Sequence, residues 1–212
     1  MPDLSLLGRQ GETNRTFPLQ PLQRGETYLP METEVFFDDT PHRIAGCAIP
    51  VFSLRSEGSC GMGDFGDLKM LMDWAYETKQ KAIQILPIND TTLTGKWTDS
   101  YPYNSISIYA FHPMYIDLRQ LPPLHNKKAA EAFEKERLKV NSFSMMDYEQ
   151  STQLKLDYLH QIYKQEGKKT LASEDFLDFF RHNEEWLRPY AAFCYLRDLY
   201  GTPDFNQWPA YR

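Results

Sequence analysis

Basic charge is in short supply in this 212-residue chain, where 23 Lys and Arg stand against 29 Asp and Glu for a formal net charge of −6. No basic face is left to neutralise phosphates or an anionic membrane, so neither nucleic acid nor membrane is expected as a partner. Cysteine is scarce and odd in number, at Cys47, Cys60 and Cys194. That pattern argues against a disulfide framework and predicts buried thiols in a reducing, cytoplasmic setting. No apolar run approaches the roughly 18 residues that a membrane span requires, and the start lacks a basic stretch followed by an apolar core. His42, His112, His125, His160 and His182 are scattered, without Cys or carboxylate at ligand spacing. Neither a metal nor a cofactor is therefore expected. G-x-S-x-G is missing, as is a Cys nucleophile with a nearby His signature, which removes local support for acyl transfer. Internal repeats are also missing, which excludes a solenoid.

What is present suffices for a folded core, since 42% of the residues are hydrophobic and 14% aromatic. The length fits one domain or part of a larger one. Residues 1–42 keep neither helical nor strand periodicity for long and read as a linker, with one short edge strand possible in "TEVFFDD", whose Asp38 and Asp39 equally suit the solvated end of a preceding element. From residue 43 order begins. "RIAGCAIPVFSL" has the apolar run of a buried strand closed by Pro50. "GSCGMGDFGDL" is a Gly-rich loop leading into a helix, with Asp64 as N-cap and Asp67 three residues on. Phe65, Leu68, Leu71, Met72 and Ala75 give that helix an apolar face. "KAIQILPIND" predicts a second buried strand ended by Pro87. The order is that of a βαβ unit, which implies parallel pairing. Its glycines miss both the GxGxxG order and a following Lys, so a phosphate cradle is not expected.

After the aromatic loop the pattern is helical, broken at Pro122 and Pro123, at "NSFSMMDYE" and at Gly167. Leu154, Tyr158, Leu159 and Ile162 share one face, and Phe176, Leu177 and Phe180 another. The last helix is expected to start near Pro189 and to present Tyr190, Ala191 and Cys194 on one side.

Between strand and helices lies "WTDSYPYNSISIYAFHPMYIDL", residues 97 to 118, dense in aromatics and small polar groups and free of Lys and Arg. A pyranose presents an apolar C–H face and a rim of hydroxyls, which aromatic rings and small polar groups complement. Trp97, Tyr101 and Tyr103 are candidates for the faces, and Asp99, Ser100 and Asn104 for the rim. They follow the C-terminal end of the second strand, the ligand side of parallel α/β folds. Tyr109, Phe111 and Tyr115 are expected to fill a core instead.

Four ordered blocks, "RIAGCAIPVFSLRSEGSCGMGDFGDL", "IQILPIND", "DSYPYNSISIYAFHPMYIDL" and "WLRPYAAFCYLRDLYGTPDFNQWP", resemble the amylomaltase or 4-α-glucanotransferase family, glycoside hydrolase family 77. The inserted Tyr101, the "FHP" and "PYAAFCYLRD" resemble most the disproportionating members that carry starch-binding domains ahead of the barrel. The resemblance implies an α/β fold: the first two strands of a (β/α)8 barrel in residues 43–125, with an inserted, mainly helical subdomain in 126–212. It also implies transfer of α-1,4-glucan segments by a retaining double displacement, in which a carboxylate nucleophile forms the glycosyl intermediate and a second carboxylic acid protonates the leaving oxygen.

The family nucleophile sits in R-x-D-H, whereas Arg43, Arg55 and Arg181 stand in "RIAG", "RSEG" and "RHNE". The resemblance thus implies catalytic carboxylates downstream of Arg212 and none in this chain, which reads as a barrel truncated at its C-terminus and inactive alone. Ser100 and Tyr103 fall on the family's "DSPY" positions, where the tyrosine lines the donor side. Asp99 precedes them, and Trp97 matches a place where an aromatic holds glucan farther from the scissile bond. Maltose and α-1,4-glucans are the implied ligands, with the missing part of the barrel as a further partner. The alternative is a non-catalytic glucan-binding or interaction module.

Overall fold

A computed structural model describes the strands at residues 14–18 and 32–36 and the chain from 44 to 210. The chain divides into two units, Met1–Arg43 and Ile44–Arg212. In the first, β1 (Asn14–Pro18) pairs antiparallel with β2 (Glu32–Phe36), Asn14 opposite Phe36. β2 falls in the stretch expected to hold a strand. β1 is an addition to the segment read as irregular, and Asp38 and Asp39 lie outside the described residues.

In the second unit β3 (Gly46–Ala48), α1 (Phe65–Glu77) and β4 (Ala82–Gln84) form the expected βαβ order. The strands are parallel, with Cys47 opposite Ile83. Two further bonds extend the ladder, from the Lys81 amide to Ala45 O and from Ile49 to Gln84 O, both 2.8 Å. Pro50 ends β3 as expected, and a 3-10 turn follows at Val51–Ser53.

The expectation of buried strands is corrected. Gly46, Ala48, Ala82 and Gln84 are exposed, and Cys47 and Ile83 only half-buried. Among the described residues no third strand joins this sheet, so each strand has one ladder and one open edge. α1 has the same character: Asp67 and Ala75 are buried, but Met70, Met72, Trp74 and Tyr76 are exposed, which overturns the placing of Met72 on the packed face.

The core lies instead between the Gly-rich loop and two helices, α2 (Lys127–Asn141) and α3 (Tyr148–Leu171). Cys60, Leu118, Leu124, Val140, Leu154 and Tyr158 form one cluster, with Leu159 and Ile162 against it as their spacing predicts. Val51, Met62, Met114, Tyr115 and Tyr148 form the other. Of the cysteines only Cys60 is buried, and burial pushes its thiol up to about 11; Cys47 and Cys194 are half-buried, against expectation, and all three are free.

The Gly-rich loop works as a structural hub. Asp64 accepts the Gly66 and Asp67 amides at 3.0 and 3.2 Å, and Asp67 accepts the Asp64 amide at 3.1 Å, a reciprocal cap that satisfies donors the first turn leaves free. Ser56 and Ser59 donate to Asp67 at 2.6 and 2.7 Å. Arg119 reaches Asp64 at 2.8 Å, and the fully buried Lys155 reaches it at 3.3 Å. Lys155 also donates to Met114 O and Ile116 O at 2.7 and 2.9 Å. Arg137 on α2 donates to the Glu57 and Ser59 carbonyls. Glycine is required where backbones meet: a Cβ on Gly63 would sit 2.0 Å from Val51 O.

Two helix boundaries are corrected. α3 runs through Gly167, whose buried face lies against the Tyr163 ring, and stops at Ala172. α4 (Glu174–Tyr200) is capped by Ser173 and continues through Pro189. Both Pro189 and Glu185, whose carbonyl loses its donor, are exposed, so the bond that proline removes is lost on the solvent side of the helix. The half-buried face of α4 runs unbroken through Asn183, Trp186, Tyr190, Phe193, Cys194 and Arg197, whereas Ala191 is exposed. Phe176 and Phe180 stack at 6.3 Å, and Leu177 is exposed beside them.

Candidate functional site

The aromatic loop leaves the end of β4 and is closed at its neck by backbone bonds. The Asp90 amide donates to Ala110 O at 2.9 Å, Ile106 to Asp90 O at 2.8 Å, and His112 to Ile88 O at 2.9 Å. Asn89 and Phe111 form an antiparallel bridge there.

Inside the loop Asp99 is the organising group. Its side chain is turned inward, 4% exposed. Oδ2 accepts the amides of Leu93, Thr94 and Gly95 at 3.0, 2.7 and 2.7 Å, and Oδ1 accepts the Thr94 hydroxyl at 3.1 Å. The Thr91 hydroxyl donates to the Asp99 carbonyl. Three convergent N–H groups on one carboxylate oxygen fix a turn that side-chain packing alone would leave loose. Gly95 has φ +71° with no atom within 4 Å of a would-be Cβ, so glycine serves the turn's backbone there. Both Asp99 carboxylate oxygens thus accept hydrogen bonds from the protein, and the side chain is turned away from solvent.

The turn carries a 3-10 segment, Trp97–Ser100. The Trp97 amide donates to Glu149 Oε1 of α3 at 3.1 Å, and Lys96 pairs with the same carboxylate at 3.6 Å. The indole is 69% exposed. It borders an open cavity of about 720 Å³ lined also by Phe143, Met145, Met146, Tyr148 and Glu149. Tyr101 and Tyr103 are each 61% exposed, their rings 5.6 Å apart at 53°. Ser100 is half-buried and Asn104 exposed. Neither tyrosine lines the cavity beside Trp97. The candidates therefore form two surfaces: the indole over the cavity, and the tyrosine pair with Asn104 close in sequence.

Of the three aromatics expected in the core, Tyr115 alone is buried. Tyr109 is exposed on one face and stacks the other on Trp186 of α4 at 5.4 Å. Phe111 is exposed and touches Phe65 edge-on at 5.9 Å. Neither Tyr109 nor Phe111 belongs to the two hydrophobic clusters.

Sequence reasoning missed the polar groups beneath the loop. His112 is buried, its Nδ1 accepting the Met114 amide at 3.1 Å and its Nε2 lying 3.0 Å from Tyr148 Oη. That places the proton on Nε2. Burial lowers the imidazole to about 4, with Asp90 and Asp99 opposing the shift. Asp90 is buried too, and accepts the Thr92 amide and hydroxyl on Oδ1 and the Tyr190 hydroxyl on Oδ2. A signal for Asp90 existed in "NDTT", an Asx-turn pattern; none announced its partner on α4. Among the described residues no cluster of His, Cys, Asp and Glu could hold a metal ion, and no helix is long and apolar enough to cross a membrane.

The family profile of 4-alpha-glucanotransferases, glycoside hydrolase family 77, matches residues 49–212. A 4-alpha-glucanotransferase DPE2 from Oryza sativa subsp. japonica is 43% identical over 170 residues, covering 80% of this chain and 18% of that protein. A 4-alpha-glucanotransferase of Chlamydia caviae is 37% identical over 166 residues, 77% of this chain and 30% of the relative. One from Streptococcus pneumoniae is 28% identical over 173 residues, 79% and 31% of the two chains. The chain spans less than a third of each of these relatives. With the profile covering most of its length and two relatives well above 30% identity, the chain belongs to the 4-alpha-glucanotransferase family.

Proposed function

We propose that residues 97–104 form one wall of an α-1,4-glucan site, in the N-terminal part of a (β/α)8 barrel whose complete form transfers glucan segments between maltooligosaccharides or glycogen-like acceptors with retention. Tyr103 is the principal sugar platform, with Ser100 and Asn104 at the rim and Trp97 holding glucan farther along. Asp99 is assigned a different role from the rim: it shapes the turn that presents those side chains. The carrying observation is the exposed Tyr101–Tyr103 pair on a turn locked from within, in a chain of this family.

Transfer chemistry is assigned to carboxylates outside this chain. A retaining mechanism needs one free carboxylate and one free carboxylic acid about 5 Å apart across the bond. The two loop carboxylates, Asp90 and Asp99, are buried and bonded to protein on both oxygens. The open edges of β3 and β4 and the exposed side of α1 suit the packing of further barrel elements. Three free cysteines favour a reducing, cytoplasmic setting.

The second reading, a glucan-binding module without catalysis, uses the same wall. Incubation of the chain with maltotriose tests where the transfer chemistry lies, and maltoheptaose binding tests the wall that both readings share. Glucose together with longer oligomers would show that it transfers, against our assignment. Saturable maltoheptaose binding without products is the expected result, and failure to bind would remove the glucan wall.

A further inference from the structure

Loop closure at the neck is already provided by backbone bonds at Asp90, Ile106 and His112. Yet the chain also buries a carboxylate there, at Asp90, and removing a charged group from water is costly unless it is well paired. The bonds it makes show where that cost is offset. Oδ1 accepts the Thr92 amide at 2.9 Å and the Thr92 hydroxyl at 2.6 Å, fixing the first residues of the loop. Oδ2 accepts the Tyr190 hydroxyl at 2.6 Å, from a residue 100 positions away on α4. Burial, together with this bond, pushes the Tyr190 hydroxyl above its ordinary range, so it stays a donor.

Other contacts converge on Thr92 and its neighbour Thr91. Arg197, two turns beyond Tyr190, donates from Nη1 to Thr92 O at 2.5 Å. On the opposite side the Thr92 hydroxyl lies 3.4 Å from His112 Nε2, which meets Tyr148 of α3. The Thr91 hydroxyl runs forward to Asp99. A path of polar contacts therefore leads from α4 through Asp90 and Thr92, and from Thr91 to the carbonyl of Asp99, whose carboxylate fixes the turn beneath Trp97–Ser100. α4 itself has no buried residue, and these bonds and the Tyr109–Trp186 stack join it to the loop.

We infer that Asp90 is a positioning residue for glucan: its bond to Tyr190 makes α4 the outer support that sets the pose of the 91–109 loop and hence of its sugar-facing rings. This rests on the reading of that loop as a glucan wall. It goes beyond that reading in assigning sugar affinity to a helix that need not touch sugar.

The test uses Tyr190→Phe, which keeps the ring and deletes the donor, and Asp90→Asn, which keeps the shape and deletes the charge. Amide hydrogen exchange is followed at residues 93–95 and 106, with α2 as the internal control, and maltoheptaose affinity is measured by titration. The expected result is exchange about tenfold faster in the loop, the scale of one lost hydrogen bond, with α2 unchanged. Maltoheptaose should bind several-fold more weakly to both variants. The double variant should be no worse than the weaker single one, because both act through one bond.

Unchanged loop exchange in Tyr190→Phe would overturn the tether, as would acceleration spread equally over α2. Faster loop exchange with unaltered maltoheptaose affinity would overturn the positioning role. If the parent chain fails to bind maltoheptaose, the glucan wall falls and with it the sugar-positioning role, while the exchange data still decide the tether. Should Asp90→Asn fail to fold, Tyr190→Phe carries the decision alone.

Discussion

Lys155 Nζ lies 3.3 Å from Asp64 Oδ2, with both side chains shut away from solvent. The pair joins the middle of one helix to the cap of another, and the same ammonium holds the Met114 and Ile116 carbonyls. Burial raises the Asp64 carboxyl above its usual range even with Lys155 pulling it down, so the neighbouring cation lessens the cost of burial without cancelling it.

Removing the cation leaves that carboxylate with Arg119 as its one paired cation and two carbonyls without the Lys155 donor. Lys155→Met is expected to cost about 3 kcal/mol in urea unfolding, the scale for breaking a buried pair. Adding Asp64→Asn should recover part of the loss, a non-additivity measurable in a double-mutant cycle. Equal, additive losses would show that the two side chains do not act together.

His112 makes stability depend on acidity. Its folded value, about 4, lies below the ordinary 6.5, so between those limits the unfolded chain binds the proton and the folded chain does not. Stability should therefore rise with pH across pH 4 to 6.5 and be lost as pH falls. The full span is on the order of 3 kcal/mol. Asp64, raised by burial, acts in the opposite sense. The difference between parent and His112→Gln melting curves isolates the imidazole: the variant should lose that slope.

Asp99→Ala removes the acceptor of three loop amides. Local destabilisation of about 1–3 kcal/mol is expected, read as faster protease cleavage between residues 91 and 109, with α2 and α3 intact. Maltoheptaose affinity should fall with it. Cleavage at the parental rate would show that the turn holds without the carboxylate.

Tyr103→Ala removes an exposed ring and should leave the fold untouched. Circular dichroism and melting should match the parent, while maltoheptaose binding weakens about tenfold, as expected for one stacking face. Affinity equal to the parent would dismiss this ring as a sugar platform.

The open side of the βαβ unit predicts association. Trp74, Met70, Met72 and Tyr76 are exposed on α1 beside strands with free edges. Sedimentation at micromolar concentration should show species above monomer mass, and Trp74→Lys should shift them towards monomer. A strictly monomeric parent would contradict this.

Much of the local structure was legible because its causes are local. Asp64 and Asp67 signal the cap of α1, Pro50 ends β3, and Leu154, Tyr158, Leu159 and Ile162 mark a packed face. Errors arose where a residue's neighbours override its propensity. Pro189 does not break α4 because it and Glu185 face water, and Gly167 sits within α3 against Tyr163. The strands read as buried because Ile, Ala and Val describe what a sheet needs, not whether the partners are at hand. At the site, the aromatic turn was readable from composition, but the inward Asp99 was not: a carboxylate facing solvent and one facing three amides have the same letter. Lys155 and Tyr190 were beyond reach, since their partners lie 91 and 100 residues away.

Gly95 offers a last consequence. Its would-be side chain meets empty space, and only the sign of φ forbids one. The requirement is thus one of handedness and not of room. A D-alanine placed there by chemical ligation should fit the turn and stiffen it by narrowing the unfolded chain's choices, where the L-enantiomer would be strained. The mirror image of a forbidden residue becomes a way to tighten the tryptophan-bearing turn without adding a single contact.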